Sequence, residues 1–310
     1  MTFVFEFIIS FILIFSAYWI FRIIRSFFYN RKKIILKIIL LIFFVCSFSI
    51  VFYGSFVEPW LITVKTENIN ITNSDKPIKI AFLTDLHVGY YLKDNFVNLV
   101  VEKTLAEKPD LVLLGGDLIS GSEKNAKYLS PLEKLSKTIP TYAATGNHEY
   151  NLGKFNGKSY NDKTKEMRNL FQKINITFLD NANTTLEING QKIFIAGLLD
   201  IWTGKADLAS ANTNMPDDDL KVLLCHNPDI ILNSQSNNYD LILSGHTHAG
   251  QIRLPYIGSL ARIPTVIGSN YEHGLYKYGK AYLFVSSGLG ESGVRARLFD
   301  PPEIVILNVK

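Results

Sequence analysis

The chain has 310 residues, 47% of them hydrophobic and 19% charged, which excludes a disordered or fibrous protein and leaves room for one large folded domain. Its two cysteines, Cys46 and Cys225, exclude a disulfide framework and a cysteine-built zinc site. The net charge of +4 comes from the first 60 residues, where six basic residues face two acidic ones; the remainder balances at 26 of each sign, so the folded part carries no excess of cations for nucleic acid.

Residues 1–60 read as a transmembrane helical hairpin. Phe3 to Phe21 and Ile34 to Val57 are each long enough to cross a hydrocarbon core of about 30 Å at about 1.5 Å per residue. The first stretch lacks a basic leader and a small-residue cleavage pattern, which argues against a removable signal peptide. Arg22, Arg25, Arg31, Lys32, Lys33 and Lys37 sit in or beside the short link, and such links stay on the cytoplasmic side. The expectation is a multi-pass membrane protein with an extracytoplasmic catalytic domain; the reverse orientation, with that domain in the cytosol, is the alternative.

Residues 61–77 are expected to be a linker. Leu61 to Ile71 alternates as an edge strand or linker would, and Asn73 to Pro77 reads as a turn. The main domain then spans 78–310. Buried-strand runs recur at Ile78–Leu83, Leu111–Leu114, Thr141–Ala144, Ile176–Leu179, Lys192–Ala196, Lys221–Cys225, Leu241–Leu243, Tyr282–Val285 and Ile304–Asn308. Helical patterns lie between several of them, at Asn95–Lys108, Tyr128–Lys137 and Thr164–Ile174, and the polar stretches Asn151–Asp162 and Thr203–Asp219 read as loops. Such alternation predicts an α/β sheet fold with more purely β character toward the C-terminus.

Ligands of open α/β sheets collect beyond the carboxyl ends of the strands. Five of the six histidines follow a predicted strand within a few residues, in Thr84-Asp85-Leu86-His87, Gly146-Asn147-His148-Glu149, His226-Asn227 and Gly245-His246-Thr247-His248, and Gly115-Gly116-Asp117 follows another strand. In an extended segment side chains two apart point the same way, so Asp85 and His87 are expected to converge, as are His246 and His248. Carboxylate, amide and imidazole donors suit divalent Mn²⁺, Fe²⁺ or Zn²⁺. The seven donors, Asp85, His87, Asp117, Asn147, His226, His246 and His248, exceed what one ion takes while keeping an open position, which points to two. Cys225 should face away from His226 and pack, His273 has no motif partner, and Gly288 and Gly290 form either a phosphate-cradling turn or a tight connection.

These five blocks, in this order over residues 78–310, resemble the calcineurin-like metallophosphoesterase superfamily. Gly245 to Gln251, with Val285 to Gly290 and Pro301 to Ile304, is similar to its membrane-associated bacterial branch. The resemblance implies a β-sandwich of two mixed sheets flanked by helices. It implies that Asp85, His87 and His248 hold one metal, that Asn147, His226 and His246 hold the other, and that Asp117 bridges them. His148 is left free to protonate or stabilise the leaving oxygen, and Glu149 supports the site without ligating. Arg295-Ala-Arg297 departs from the proline-containing pattern of related proteins, so the resemblance leaves a substrate-facing role for Arg297 open.

The expected activity is hydrolysis of a phosphodiester or pyrophosphate bond, with a lipid-linked or envelope substrate as first hypothesis because the anchor holds the site near the bilayer. A pyrophosphatase acting on a UDP-diacylglucosamine type lipid from the cytosolic side, a phosphomonoesterase or nucleotide-directed enzyme, and a scaffold without catalysis are the rivals. The scaffold would usually lack a ligand, and none is missing.

Overall fold

The computed structural model describes residues 2–29, 32–71, 77–152, 160–217 and 219–310. The turn expected after Thr72 and the middle of the loop Asn151–Asp162 lie outside them.

Apolar composition dictates the first two elements. Helix α1, Thr2–Tyr29, and helix α2, Ile34–Phe52, form an antiparallel pair in which Trp19 stacks on Phe44 with ring centroids 6.0 Å apart. α1 continues past the expected end at Phe21 through Arg22 and Arg25 to Tyr29, because no Gly or Pro interrupts it. α2 runs on through a wide π-type turn, Tyr53–Val57, and a 3-10 turn, Glu58–Trp60. By length and composition, Val4–Tyr29 and Ile34–Trp60 could each cross a membrane.

The rest folds as a sandwich of two six-stranded mixed sheets. The strands of the first are β1 (Thr63–Ile69), β2 (Ile78–Leu83), β3 (Leu111–Leu114), β4 (Thr141–Ala143), β5 (Thr177–Phe178) and, far along the chain, Glu303–Val309. Those of the second are β6 (Ala182–Ile188), β7 (Gln191–Gly197), β8 (Leu220–Leu224), β9 (Leu241–Ser244), and then, beyond a small hairpin of β10 (Arg253–Leu254) and β11 (Gly258–Ser259), β12 (Gly274–Tyr278) and β13 (Ala281–Val285). With Glu303–Val309 as β14, the first sheet runs β1-β14-β2-β3-β4-β5 and the second β12-β13-β9-β8-β7-β6. The segment expected to be a linker thus carries β1, which pairs in parallel with β14 from Thr63↔Glu303 to Ile69↔Val309. Its alternating pattern is that of an edge strand, one face packed and one wet.

Period two sorts the core. Ile78, Ile80, Phe82, Leu111 and Leu113 point between the sheets and meet Ile195, Val222, Leu224, Leu243 and Phe284. The intervening Ala81, Leu83, Val112 and Leu114 point outward onto helix α3, Asp94–Ala106, through Phe96, Val97, Val100 and Val101. A helix expected over Tyr128–Lys137 is instead a 3-10 stretch, Glu123–Leu132, followed by a single α-turn, Glu133–Ser136, because Pro131 supplies no N–H there. Cys225 is wholly buried among Ala196, Leu223 and Val285, on the side away from the strand-end histidines.

The apolar hairpin is docked on the sandwich. Asp300 N donates to Glu58 Oε1 at 2.6 Å, Arg297 N to Gly54 O at 2.9 Å, and Trp60 meets the ring of Phe96 edge-on at 5.6 Å.

Candidate metal centre

β2, β3 and β4 of one sheet and β8, β9 and β13 of the other end at one rim, and the residues just beyond them are laced together by backbone bonds. Asp85 N donates to Gly116 O, His87 N to Asp117 O, Gly245 N to His226 O and Leu289 N to Thr84 O, all between 3.0 and 3.1 Å. All seven expected metal ligands and His148 meet at this rim. The donor atoms of Asp85, His87 and His248 lie within 4.8 Å of one another, as do those of Asp117, His226 and His246, and those of His87, Asp117 and His148. Asn147 Oδ1 faces His246 Nδ1 at 2.9 Å, and its own amide nitrogen is tied to Leu152 O at 2.8 Å, which turns the oxygen inward.

The convergence has a different cause from the extended segment expected. Asp85, His87, Asp117, His246 and His248 all have left-handed φ, between 44° and 70°. Such a conformation costs a non-glycine residue on the order of 1–3 kcal/mol and persists where surroundings over-determine it. Here each turn aims a side chain at the centre. Small neighbours make the space: a Cβ on Gly245 would stand 2.1 Å from Asp85 Oδ2, and one on Gly146 2.3 Å from Asp117 Oδ1. Gly288 and Gly290 form the tight connection rather than a cradle. A Cβ on Gly288 would lie 2.6 Å from Asp85 Cβ, and one on Gly290 2.4 Å from Leu86 O.

Charge at the rim is concentrated and dry. Asp85, Asp117, Asn147 and four of the histidines are buried, while the His148 side chain is 33% exposed. Burial opposes ionisation of both carboxylates, but His248 and His226 hold Asp85, and His226 and His148 hold Asp117, below the usual carboxylate range. Burial also opposes a charge on His226, yet Asp117 and Asp85 push its pKa well up. Burial lowers His87, lowers His148, and takes His246 down to about 3. Positive charge is therefore favoured between the carboxylates, at His226 in the protein alone, while His87, His148 and His246 are held neutral around it.

The donor set fits divalent metal. His226 Nδ1 is engaged by Gly115 O at 2.8 Å, leaving Nε2 directed inward. His226 Nε2 and His246 Nε2 are buried without a hydrogen-bond partner. His226 Nε2 stands 3.1 Å from Asp117 Oδ2, so the two donors face the same point. His87 Nε2 and His248 Nε2 face each other at 3.1 Å, with Asp85 Oδ1 3.2 Å from the latter. A mixed imidazole, amide and carboxylate set suits Mn²⁺, Fe²⁺ or Zn²⁺.

The family model for calcineurin-like phosphoesterases matches residues 78–250. The chain belongs to this family. It is 37% identical over 255 residues to an uncharacterized metallophosphoesterase of Campylobacter jejuni subsp. jejuni serotype O:2, covering 80% of this chain and 63% of that one. A second uncharacterized metallophosphoesterase, from Helicobacter pylori strain J99, is 34% identical over 83% of this chain and 66% of its own length. The chain therefore spans slightly under two thirds of these two relatives. Against Escherichia coli K12 phosphodiesterase YaeI the identity is 29%, over 83% of this chain and 92% of the relative.

Other members of the calcineurin-like site support rather than converge. Glu149 accepts from Asp117 N at 2.9 Å, Gly146 N at 2.7 Å and Ile119 N at 3.1 Å, so it clamps two of the loops; burial and the charge of Asp117 push its pKa up to about 8. Arg297 does not face the site. Its buried guanidinium donates to Ser287, Gly288, Gly290 and Asp300 and so locks the connection under Asp85. His273 pairs with Glu303 at 3.1 Å, a structural contact. Sequence reasoning missed Asp200 and Trp202. Asp200 follows β7, is fully buried, and is pushed up to about 7 by burial; the Trp202 ring meets His246 edge-on at 4.6 Å. Asp200 lies just past a strand end like the other site residues, but Leu198 and Leu199 carry the apolar run beyond β7 and blur that end.

Proposed function

We propose that this chain is a membrane-anchored, two-metal phosphoesterase that hydrolyses a phosphodiester or pyrophosphate bond. One observation carries the reading: Asp117 Oδ2 lies 3.1 Å from His226 Nε2 and 3.6 Å from His87 Nε2, so a single carboxylate oxygen borders both donor groups. In this reading Asp85, His87 and His248 would hold one ion, Asn147, His226 and His246 the other, and Asp117 would serve both. Two dications held there would supply positive charge for phosphoryl oxygens and a more acidic water.

The chain's own residues do the rest. Asp85 and Asp117 fix the cluster's net charge, the left-handed turns preset the ligand directions, and buried walls keep the local dielectric low. His148, the most exposed of the site histidines, sits at the mouth with Nε2 3.4 Å from Ser292 Oγ, where a proton can pass to a departing oxygen. That the relative YaeI is named a phosphodiesterase supports a diester over a monoester.

Residues 1–60 form the anchor in this proposal, and the catalytic domain begins with β1. The basic link between the helices favours an extracytoplasmic domain. Proximity to the bilayer favours a lipid-linked or envelope phosphoester. Full-length protein in detergent, loaded with Mn²⁺, should hydrolyse an artificial phosphodiester and lose that activity to a chelator. Full activity after thorough metal removal would overturn the mechanism. A reporter fused after Lys310 tests the orientation, and activity of a cytoplasm-specific reporter would reverse it.

A further inference from the structure

A groove of about 400 Å³ leads away from His246 and His248. Its inner end is polar, with Thr247, Gln251 and Ser292; its outer walls are Ile252, Leu260, Ala261, Ile263, Pro264 and Val294, with Arg262 beside them. Leu260 is 57% exposed, and Ile257 and Val266 of the same loop are exposed as well. No Phe, Tyr or Trp lines the groove among the described residues, so it offers no platform on which a nucleotide base would stack. The volume is that of a small-molecule site rather than a packing defect.

The groove floor adjoins the apolar hairpin. Gln251 O accepts from Leu298 N at 2.9 Å, Ile252 bridges to Leu298, and the neighbouring Arg297 N donates to Gly54 O of the turn that ends α2. The groove therefore lies within two residues of the point where the membrane helices meet the sandwich. A groove that is polar beside His246 and His248, has aliphatic walls, and adjoins the apolar hairpin matches an amphiphile. We propose that this groove takes the hydrocarbon chain of a membrane lipid whose phosphoester lies at the metal centre. The inference rests on the phosphoesterase reading and names the part of the substrate that the reading leaves open.

The test is a series of phosphoesters with one headgroup and saturated chains of increasing length, presented at fixed mole fraction in detergent micelles to full-length, Mn²⁺-loaded protein. kcat/KM should climb by up to about fourfold for each methylene the groove buries and then level off. Leu260→Asp, at an exposed position whose loss does not open the core, should flatten the climb, and Ala261→Trp, which fills the groove, should move the plateau to shorter chains. A flat series with brisk hydrolysis of the shortest member would overturn the groove and leave the phosphoesterase standing. A climb unchanged in both variants would place the chain elsewhere and overturn it too. Hydrolysis of no member would sink the phosphoesterase reading and this inference with it.

Discussion

The backbone amide of His148 donates to Asp117 Oδ1 at 2.7 Å, which occupies one carboxylate oxygen and leaves Oδ2 turned toward His226 and His87. The bond therefore sets both the direction of Asp117 and the position of the histidine at the mouth. Replacing Asp117 by Asn keeps an acceptor for that amide but removes the charge. The expected result is a loss in kcat of at least about 10³-fold with less metal per chain by elemental analysis, whereas His273→Ala, at a contact remote from the cluster, should cost under about tenfold. Equal losses would contradict the placement of Asp117.

His148→Ala should leave metal content intact and lower kcat by about 10² to 10⁴. The deficit should shrink for substrates with acidic leaving groups, which need no proton. A leaving-group series comparing wild type with the variant checks this, and parallel slopes would remove His148 from proton transfer.

Gly245→Ala puts a methyl 2.1 Å from Asp85 Oδ2 and should disrupt metal loading and activity together. Gly190 is the control: its φ is +82° and nothing lies within 4 Å of an added Cβ. Gly190→Ala should cost roughly 1–2 kcal/mol of stability through its left-handed backbone while metal content stays the same. Thermal unfolding and elemental analysis of the two variants separate steric exclusion from backbone cost.

Arg297→Lys should lower the unfolding temperature, because breaking a buried, multiply bonded charge typically costs about 3–5 kcal/mol. KM for a soluble diester should stay within a few-fold of wild type, since the guanidinium faces Ser287, Gly288, Gly290 and Asp300. A large rise in KM with unchanged melting would instead put Arg297 on the substrate.

Stripping metal should lower the melting temperature as well as abolish turnover, because ligands bound only by the folded state stabilise it by mass action. Calorimetry of the chelated and Mn²⁺-loaded protein tests the point. Identical melting curves would argue against ions at the cluster.

The continuous apolar runs were legible: Ile78–Leu83 and Leu111–Leu114 occupy the expected residues because strands buried on both faces read as unbroken hydrophobic stretches. β6 and β12 were not, since Asn183-Thr184-Thr185 and Tyr276-Lys277-Tyr278 lie at the two edges of the second sheet, where one face is wet and composition blurs. The positions of the seven donors were legible from their place after strands. The left-handed turns were not, because nothing in the residue types Asp and His demands positive φ; the crowding of Gly116, Gly146 and Gly245 beneath them does. Asp200 escaped notice because Leu198 and Leu199 continue the apolar run of β7 past its end.

The parallel pairing of β1 with β14 also sets a timetable for synthesis. β14 separates β1 from β2, so the first sheet cannot close until Glu303–Val309, far along the chain from both, have been made. Until then the facing edges of β1 and β2 have no neighbour in this sheet. A chain still being made therefore carries an unfinished first sheet, and a truncation that removes β14 leaves two open seams for aggregation.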